Sequence, residues 1–223
     1  MVVAAAVDPV ARAVMVAGAT GLVGREVLAA LSADRRYRAI HVVGRRAPAT
    51  DDARVRFHAV DFDRLPALPA VDDVFIALGT TIKVAGSQAA FRAVDHDAVL
   101  ALARQARGSG ATRLAVVSAM GADAHSRIFY NRVKGETEDD LRQLGYDTLV
   151  IARPSLLVGD RGALAQPTRW GERIGQLGMA LFAPLIPADY RAIAASRVAT
   201  AMLRTLAAGK PGTQVLLSGA MQA

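Results

Sequence analysis

One stretch constrains the fold more than any other. Gly18-Ala19-Thr20-Gly21-Leu22-Val23-Gly24 carries glycine at every third position. It stands between a short apolar run, Val14-Met15-Val16-Ala17, and a segment from Gly24 to Leu31 whose apolar residues recur at helical spacing. A strand that turns directly into a helix needs positions without side chains at the bend. Glycine at 18 permits the tight turn, glycine at 21 lets the backbone approach a bulky anion, and glycine at 24 lets the helix pack close to the strand. The helix N-terminus then offers unbonded N–H groups and the positive end of its dipole. No Gly-Lys-Ser/Thr follows, which excludes a P-loop.

The same alternation continues downstream. Ala39 to Val43, Val55 to Val60, Val74 to Leu78, Leu114 to Val117 and Thr148 to Ala152 read as strands, and Gln214 to Leu217 as a last short one. Helical patterns run over Gln88 to Ala106, with Phe91, Val94, Ala98 and Leu102 on one stripe, over Arg127 to Leu144, and over Ser196 to Ala207. Apolar strands separated by amphipathic helices imply a parallel sheet covered on both faces. Right-handed crossovers then give an α/β, Rossmann-type doubly wound sheet. With 223 residues, 52% of them apolar, one domain over 1–223 has ample material for a core. The looser stretch of about 155–190 reads as a small C-terminal substrate cap inserted in that domain.

A glycine loop in this context predicts dinucleotide binding, with Gly18, Ala19, Thr20, Gly21, Leu22, Val23 and Gly24 around the diphosphate. The end of the second strand discriminates between dinucleotides. NAD sites usually place a carboxylate there, on the adenosine ribose. This chain has Gly44-Arg45-Arg46. A guanidinium pairs with a 2′-phosphate that a carboxylate would repel, so NADP(H) is expected in preference to NAD(H). Asp61-Phe62 closes the third strand, where the carboxylate can accept from the adenine amino group or simply form a turn. Leu78-Gly79-Thr80-Thr81 follows the fourth strand, and its small residues let a cofactor pass close to the backbone.

Tyr130-Asn131-Arg132-Val133-Lys134 places a phenol and an ammonium one turn apart on one helix face. A free tyrosine titrates near ~10, and a close cation favours its phenolate. Tyr130 is therefore the candidate proton donor and acceptor for a carbonyl/alcohol pair, with Lys134 lowering its pKa and bonding the nicotinamide ribose. Ser118, at the end of the fifth strand, is the candidate hydroxyl for orienting the substrate oxygen.

The ordered set resembles the short-chain dehydrogenase/reductase superfamily. It comprises the glycine loop, Gly44-Arg45-Arg46, Leu78-Gly79-Thr80-Thr81, Val117-Ser118-Ala119-Met120-Gly121-Ala122, Tyr130 through Glu136, and Arg153-Pro154. Within the superfamily it is similar to the small atypical NAD(P)-binding branch of the Tat-interacting protein 2 oxidoreductases. The resemblance runs from about Val14 to Leu217. It implies a Ser-Tyr-Lys site, and it places Pro154 near the nicotinamide. One departure is visible: the family often has a second serine after the first, where this chain has Ala119. Ser126 is a candidate substitute.

Other classes find no support. Cysteine is absent, so disulfides, thiolate metal sites and cysteine nucleophiles are excluded. His41, His58, His96 and His125 show no metal spacing, and there is no Gly-x-Ser-x-Gly elbow. The net charge of +7 comes from scattered arginines, usually beside acids, with lysine only at positions 83, 134 and 210, so nucleic acid is not an expected partner. No apolar stretch reaches the ~20 residues needed to span a bilayer, and no membrane partner is expected. Met1 to Val10 carries Asp8 and lacks a basic region, which does not read as a secretory signal and leaves a cytoplasmic location as the default. Trp170, Phe182 and Tyr190 are candidates for an apolar substrate pocket, and Met179 and Leu181 equally for a subunit interface. A homodimer is the base-rate expectation.

The reading that follows is an NADP(H)-dependent oxidoreductase acting on a small carbonyl compound or alcohol. The alternatives are a non-catalytic or weakly catalytic NADP(H)-binding regulatory module and an epimerase-like variant. The short chain leaves little room for the large nucleotide-sugar substrates typical of longer relatives.

Overall fold

The computed structural model describes residues 12–158 and 187–222. Seven parallel strands form one sheet in the order β3-β2-β1-β4-β5-β6-β9. They are β1 (Arg12–Ala17), β2 (Tyr37–Gly44), β3 (Val55–Ala59), β4 (Asp73–Ile76), β5 (Arg113–Val117), β6 (Thr148–Arg153) and β9 (Gly212–Leu217). The strand order reverses direction between β1 and β4, the switch point where open α/β sheets bind ligands at their carboxyl ends. A separate parallel pair joins β7 (Leu157–Val158) to β8 (Ile193–Ala194).

Side-chain alternation along the strands feeds two cores. One face carries Val14, Val16, Ile40, Val42, Phe75 and Val150, covered by α1 (Leu22–Ala33) through Val27 and Leu31. The helix α6 (Ala195–Ala208) covers the same face through Val198 and Met202. The other face carries Met15, Val43, Val74, Leu114, Val116 and Ile151. Leu102 and Ala106 of α4 (Ala98–Gly108) and Leu141 of α5 (Phe129–Arg142) pack there.

The amino ends of the central strands are tied by one carboxylate. Asp73, fully buried, accepts from Arg12 Nε and Nη2 at 2.9 and 2.7 Å, Arg113 Nε and Nη2 at 2.7 and 3.0 Å, and the Tyr37 hydroxyl at 2.8 Å. Burial pushes this carboxyl up, but the bonds from Arg12, Arg113 and Tyr37 outweigh it and hold it below its ordinary value.

The helix expected over Gln88 to Ala106 is not uniform. It consists of α3 (Gln88–Arg92), a π-helical turn (Ala93–Asp97) and α4. Two short helices were not expected, α2 (Ile82–Ala85) after β4 and α7 (Ser218–Gln222) after β9. Of the anticipated cap, Trp170, Met179, Leu181 and Phe182 lie outside the described residues. Tyr190 is described, in a single 3-10 turn (Ala188–Tyr190), and is exposed.

Candidate active site

The glycine loop forms a cradle that side chains would fill. Gly18 has φ +85°, a conformation that L side chains rarely adopt, and a Cβ there would stand 2.4 Å from the Ala77 carbonyl oxygen, just past the end of neighbouring β4. A Cβ on Gly24 would stand 2.0 Å from the Gly18 carbonyl oxygen. The turn closes by a bond from Gly21 N–H to Gly18 O at 2.9 Å. Gly21 caps α1 without a side-chain bond, and no acidic residue occupies the first turn. The N–H groups at this helix end are left for an anion, and the cradle suits a diphosphate. Ala19 and Val23 are buried behind it, while Thr20 and Leu22 are half-buried.

Gly44 ends β2 one strand over, and its carbonyl accepts from Val60 N–H at 3.1 Å. Arg45 and Arg46 follow and are exposed. Asp61 is exposed, and its carboxylate accepts from Asp63 N–H at 3.1 Å. Phe62 and Leu78 are half-buried and pack against the same core as Val43.

At the other side of the switch point, Tyr130 occupies the first turn of α5 and Lys134 the next. The Tyr130 ring lies 5.4 Å from that of Phe91, which is fully buried. A Cβ on Gly135 would stand 2.1 Å from Ala124 N, so α5 packs directly on the backbone that follows β5. The loop after β5 is in turn pinned to the end of β6 by Met120 N–H donating to Pro154 O at 3.1 Å. Pro154 itself is buried.

Two settings here differ from the plain reading of the sequence. Ser118 is buried, and its hydroxyl donates to Glu138 Oε1 at 2.6 Å rather than being free for a substrate. Glu138, buried on α5, also accepts from Arg153 Nε and Nη2 at 2.9 and 2.6 Å and from Arg142 Nη2 at 3.0 Å. The cluster joins β5, α5 and the end of β6, and it claims the Ser118 proton. Secondly, the Tyr130 phenol is raised above its ordinary value, not lowered. Burial is the main cause; Lys134 pulls it down as expected, but Asp95 pushes it back up. Lys134 Nζ lies 2.8 Å from Asp95 Oδ1, with both side chains buried, so much of the ammonium's charge is already compensated.

The other residues weighed in sequence have ordinary settings. His96 is buried between Asp97, 2.7 Å from Nδ1, and Asp140, 3.0 Å from Nε2. His41 and His58 contact each other at 2.9 Å across β2 and β3. Ser126 Oγ accepts from Ile128 N–H at 3.2 Å in the loop leading to Tyr130. No described helix is long and apolar enough to cross a membrane.

Asp95 and Glu138 belong to none of the motifs above. Both carry a sequence signal: Asp95 is four residues from Phe91 on the buried stripe of its helix, and Glu138 is four residues beyond Lys134. Carboxylates on an inward face are rarely buried unless paired.

A parallel sheet with its switch point over a glycine cradle defines a Rossmann-type dinucleotide-binding protein. Residues 18–177 match the NAD(P)H-binding family, and the chain belongs to it. It is 34% identical over 154 residues to the mitochondrial protein fmp52 of Emericella nidulans, covering 65% of this chain and 66% of that one. It is 32% identical over 166 residues to protein HTATIP2 of Rattus norvegicus, covering 71% and 68%. The chain thus spans about two thirds of the length of these curated relatives. Among solved structures, MoeE5 in complex with UDP-glucose and NAD superposes with a TM-score of 0.69 at 17% identity, covering 91% of this chain and 74% of that one. The fungal relatives also correct the cytoplasmic expectation. The Emericella protein and its counterparts from three further fungi are named mitochondrial, which points away from the cytoplasm.

Proposed function

We propose that the protein is an NADP(H)-dependent oxidoreductase that interconverts a small carbonyl compound and its alcohol, with Tyr130 as the proton donor and acceptor. The observation that carries this reading is the placement of Tyr130 and Lys134 on the first two turns of α5, across the switch point from the glycine cradle. The bound dinucleotide supplies or takes up the hydride. Gly18–Gly24 would hold the diphosphate, and Lys134 and Pro154 would receive the nicotinamide half. Tyr130 gives its proton to the carbonyl oxygen during reduction and recovers it in the reverse direction. Its raised value in the free chain keeps it protonated at neutral pH, the state reduction requires. The added positive charge of the oxidised nicotinamide favours the phenolate needed for oxidation. Ser118 enters this reading as the hydroxyl that fixes Glu138 and the end of β5.

Arg45 and Arg46, exposed at the end of β2, support NADP(H) in preference to NAD(H). Arg45→Ala should reduce the NADPH/NADH affinity ratio measured by calorimetry; an unchanged ratio rejects that preference. For the activity, purified protein with NADPH and a panel of carbonyl compounds should turn over, and Tyr130→Phe should lower the rate by about 10²–10⁴-fold. Equal rates for the variant reject the role of Tyr130.

One observation favours a second reading. With the Ser118 proton given to Glu138 and alanine at 119, no serine hydroxyl from the end of β5 is offered to a carbonyl. A regulatory module that binds NADP(H) without chemistry would show tight NADPH binding and no turnover on the same panel.

A further inference from the structure

Asp95 sits inside the π-helical turn Ala93–Asp97 and is 1% exposed. The widened turn is held from α5: Thr137 Oγ1 donates to the Asp95 carbonyl at 3.1 Å and to the Val133 carbonyl at 2.7 Å. This aims the carboxylate at two parts of the site at once. Oδ2 accepts from Thr80 N–H at 2.9 Å, in the loop expected to pass the cofactor. Oδ1 lies 2.8 Å from Lys134 Nζ, the distance of a close ion pair. The loop runs directly over the carboxylate, since a Cβ on Gly79 would be 3.5 Å from Oδ1.

A buried ion pair is weak evidence of stabilisation, because desolvating both charges offsets their attraction. The link from Thr80 N–H to the ammonium suggests another use. We propose that Asp95 is a positioning residue of this same site, joining the 78–80 loop to Lys134 so that the seating of the dinucleotide and the placement of the ammonium depend on one carboxylate. The proposal rests on the dinucleotide-binding reading of the site. Two other titratable groups face the pair. Tyr130 feels the charge of both residues, and Glu138 shares a small cavity with them but is held by Arg153 and Arg142.

The test is a double-mutant cycle read by binding rather than turnover. Calorimetry gives the NADPH and NADH affinities of the wild type, Asp95→Asn, Lys134→Met and the double variant at one fixed pH. Lys134→Met should weaken binding by about tenfold in the wild-type background and by less than about threefold once Asp95 is replaced. The double variant buries no unpaired charge, and thermal unfolding verifies its fold. Equal losses in both backgrounds overturn the coupling alone. Absence of binding to folded wild type overturns the site reading and the proposal with it.

Discussion

Two aspartates, Asp73 and Asp95, are buried at opposite ends of the central sheet, and their surroundings differ in kind. Asp73, at the amino end of β4, accepts five hydrogen bonds from two arginines and a tyrosine. Asp95, beyond the carboxyl ends, has one backbone bond and one ionic contact. A carboxylate whose lone pairs are filled by fixed donors is a strut; it joins β1, β2, β4 and β5 and has little left to offer a ligand. A carboxylate held by one backbone N–H and one ammonium has fewer fixed donors, and that ammonium, on Lys134, stands one helical turn from the phenol that the chemistry would need. The contrast matches the general division in open α/β sheets, where the amino ends serve stability and the carboxyl ends serve ligands.

The largest effect should come from the strut. Asp73→Ala leaves Arg12 and Arg113 facing one another across a buried gap and should cost about 3–5 kcal/mol, read as a lowered denaturant midpoint. Dinucleotide affinity under native conditions should be unchanged. If Asp73→Ala instead weakens binding while stability holds, the division between the two ends fails. Next, Gly24→Ala drives a methyl into the Gly18 carbonyl and should weaken dinucleotide binding by roughly tenfold or more, since backbone strain of about 1–3 kcal/mol must be absorbed at the cradle.

Acid provides a subtler probe. The folded-state value of Asp73 is depressed, so its contribution is fully present above the unfolded value of 3.8 and is lost as pH falls through the lower folded value. Unfolding free energy should therefore drop below about pH 4 in the wild type, with a shallower drop in Asp73→Ala. Parallel curves would deny Asp73 that role. The smallest effect should come from Ser118→Ala. It removes one bond to Glu138, which keeps Arg153 and Arg142, and should cost about 1 kcal/mol with turnover within about threefold of wild type. A loss of about 10²-fold would return Ser118 to direct contact with substrate.

Most of the frame was legible because it rests on backbone rules. The apolar runs, the glycine turn and the amphipathic stripes report local periodicity, and all seven strands of the main sheet fall where those signals put them. The electrostatics of the site were not legible. The Tyr130–Lys134 spacing gave the pair, but the phenol's net rise comes first from burial in the packed fold, with a smaller push from Asp95, which lies 39 residues upstream of Lys134 and arrives through a π turn. Ser118 likewise reads as an available hydroxyl until Glu138 is brought to it by the packing of α5 on β5. Gly135 lay within the recognised motif, but its reason is tertiary: the backbone of Asp123 and Ala124 leaves no space for a side chain.

The π turn at Ala93–Asp97 holds one residue more than a regular turn requires. Removing a single amino acid there would spare the chain's apolar count and most of its contacts, yet it would rotate every earlier position of that rod by about 100° relative to α4. Phe91 would swing away from Tyr130, and the carboxylate would leave the ammonium. The site is therefore more exposed to a one-codon deletion in the middle of a helix than to many substitutions along its rim.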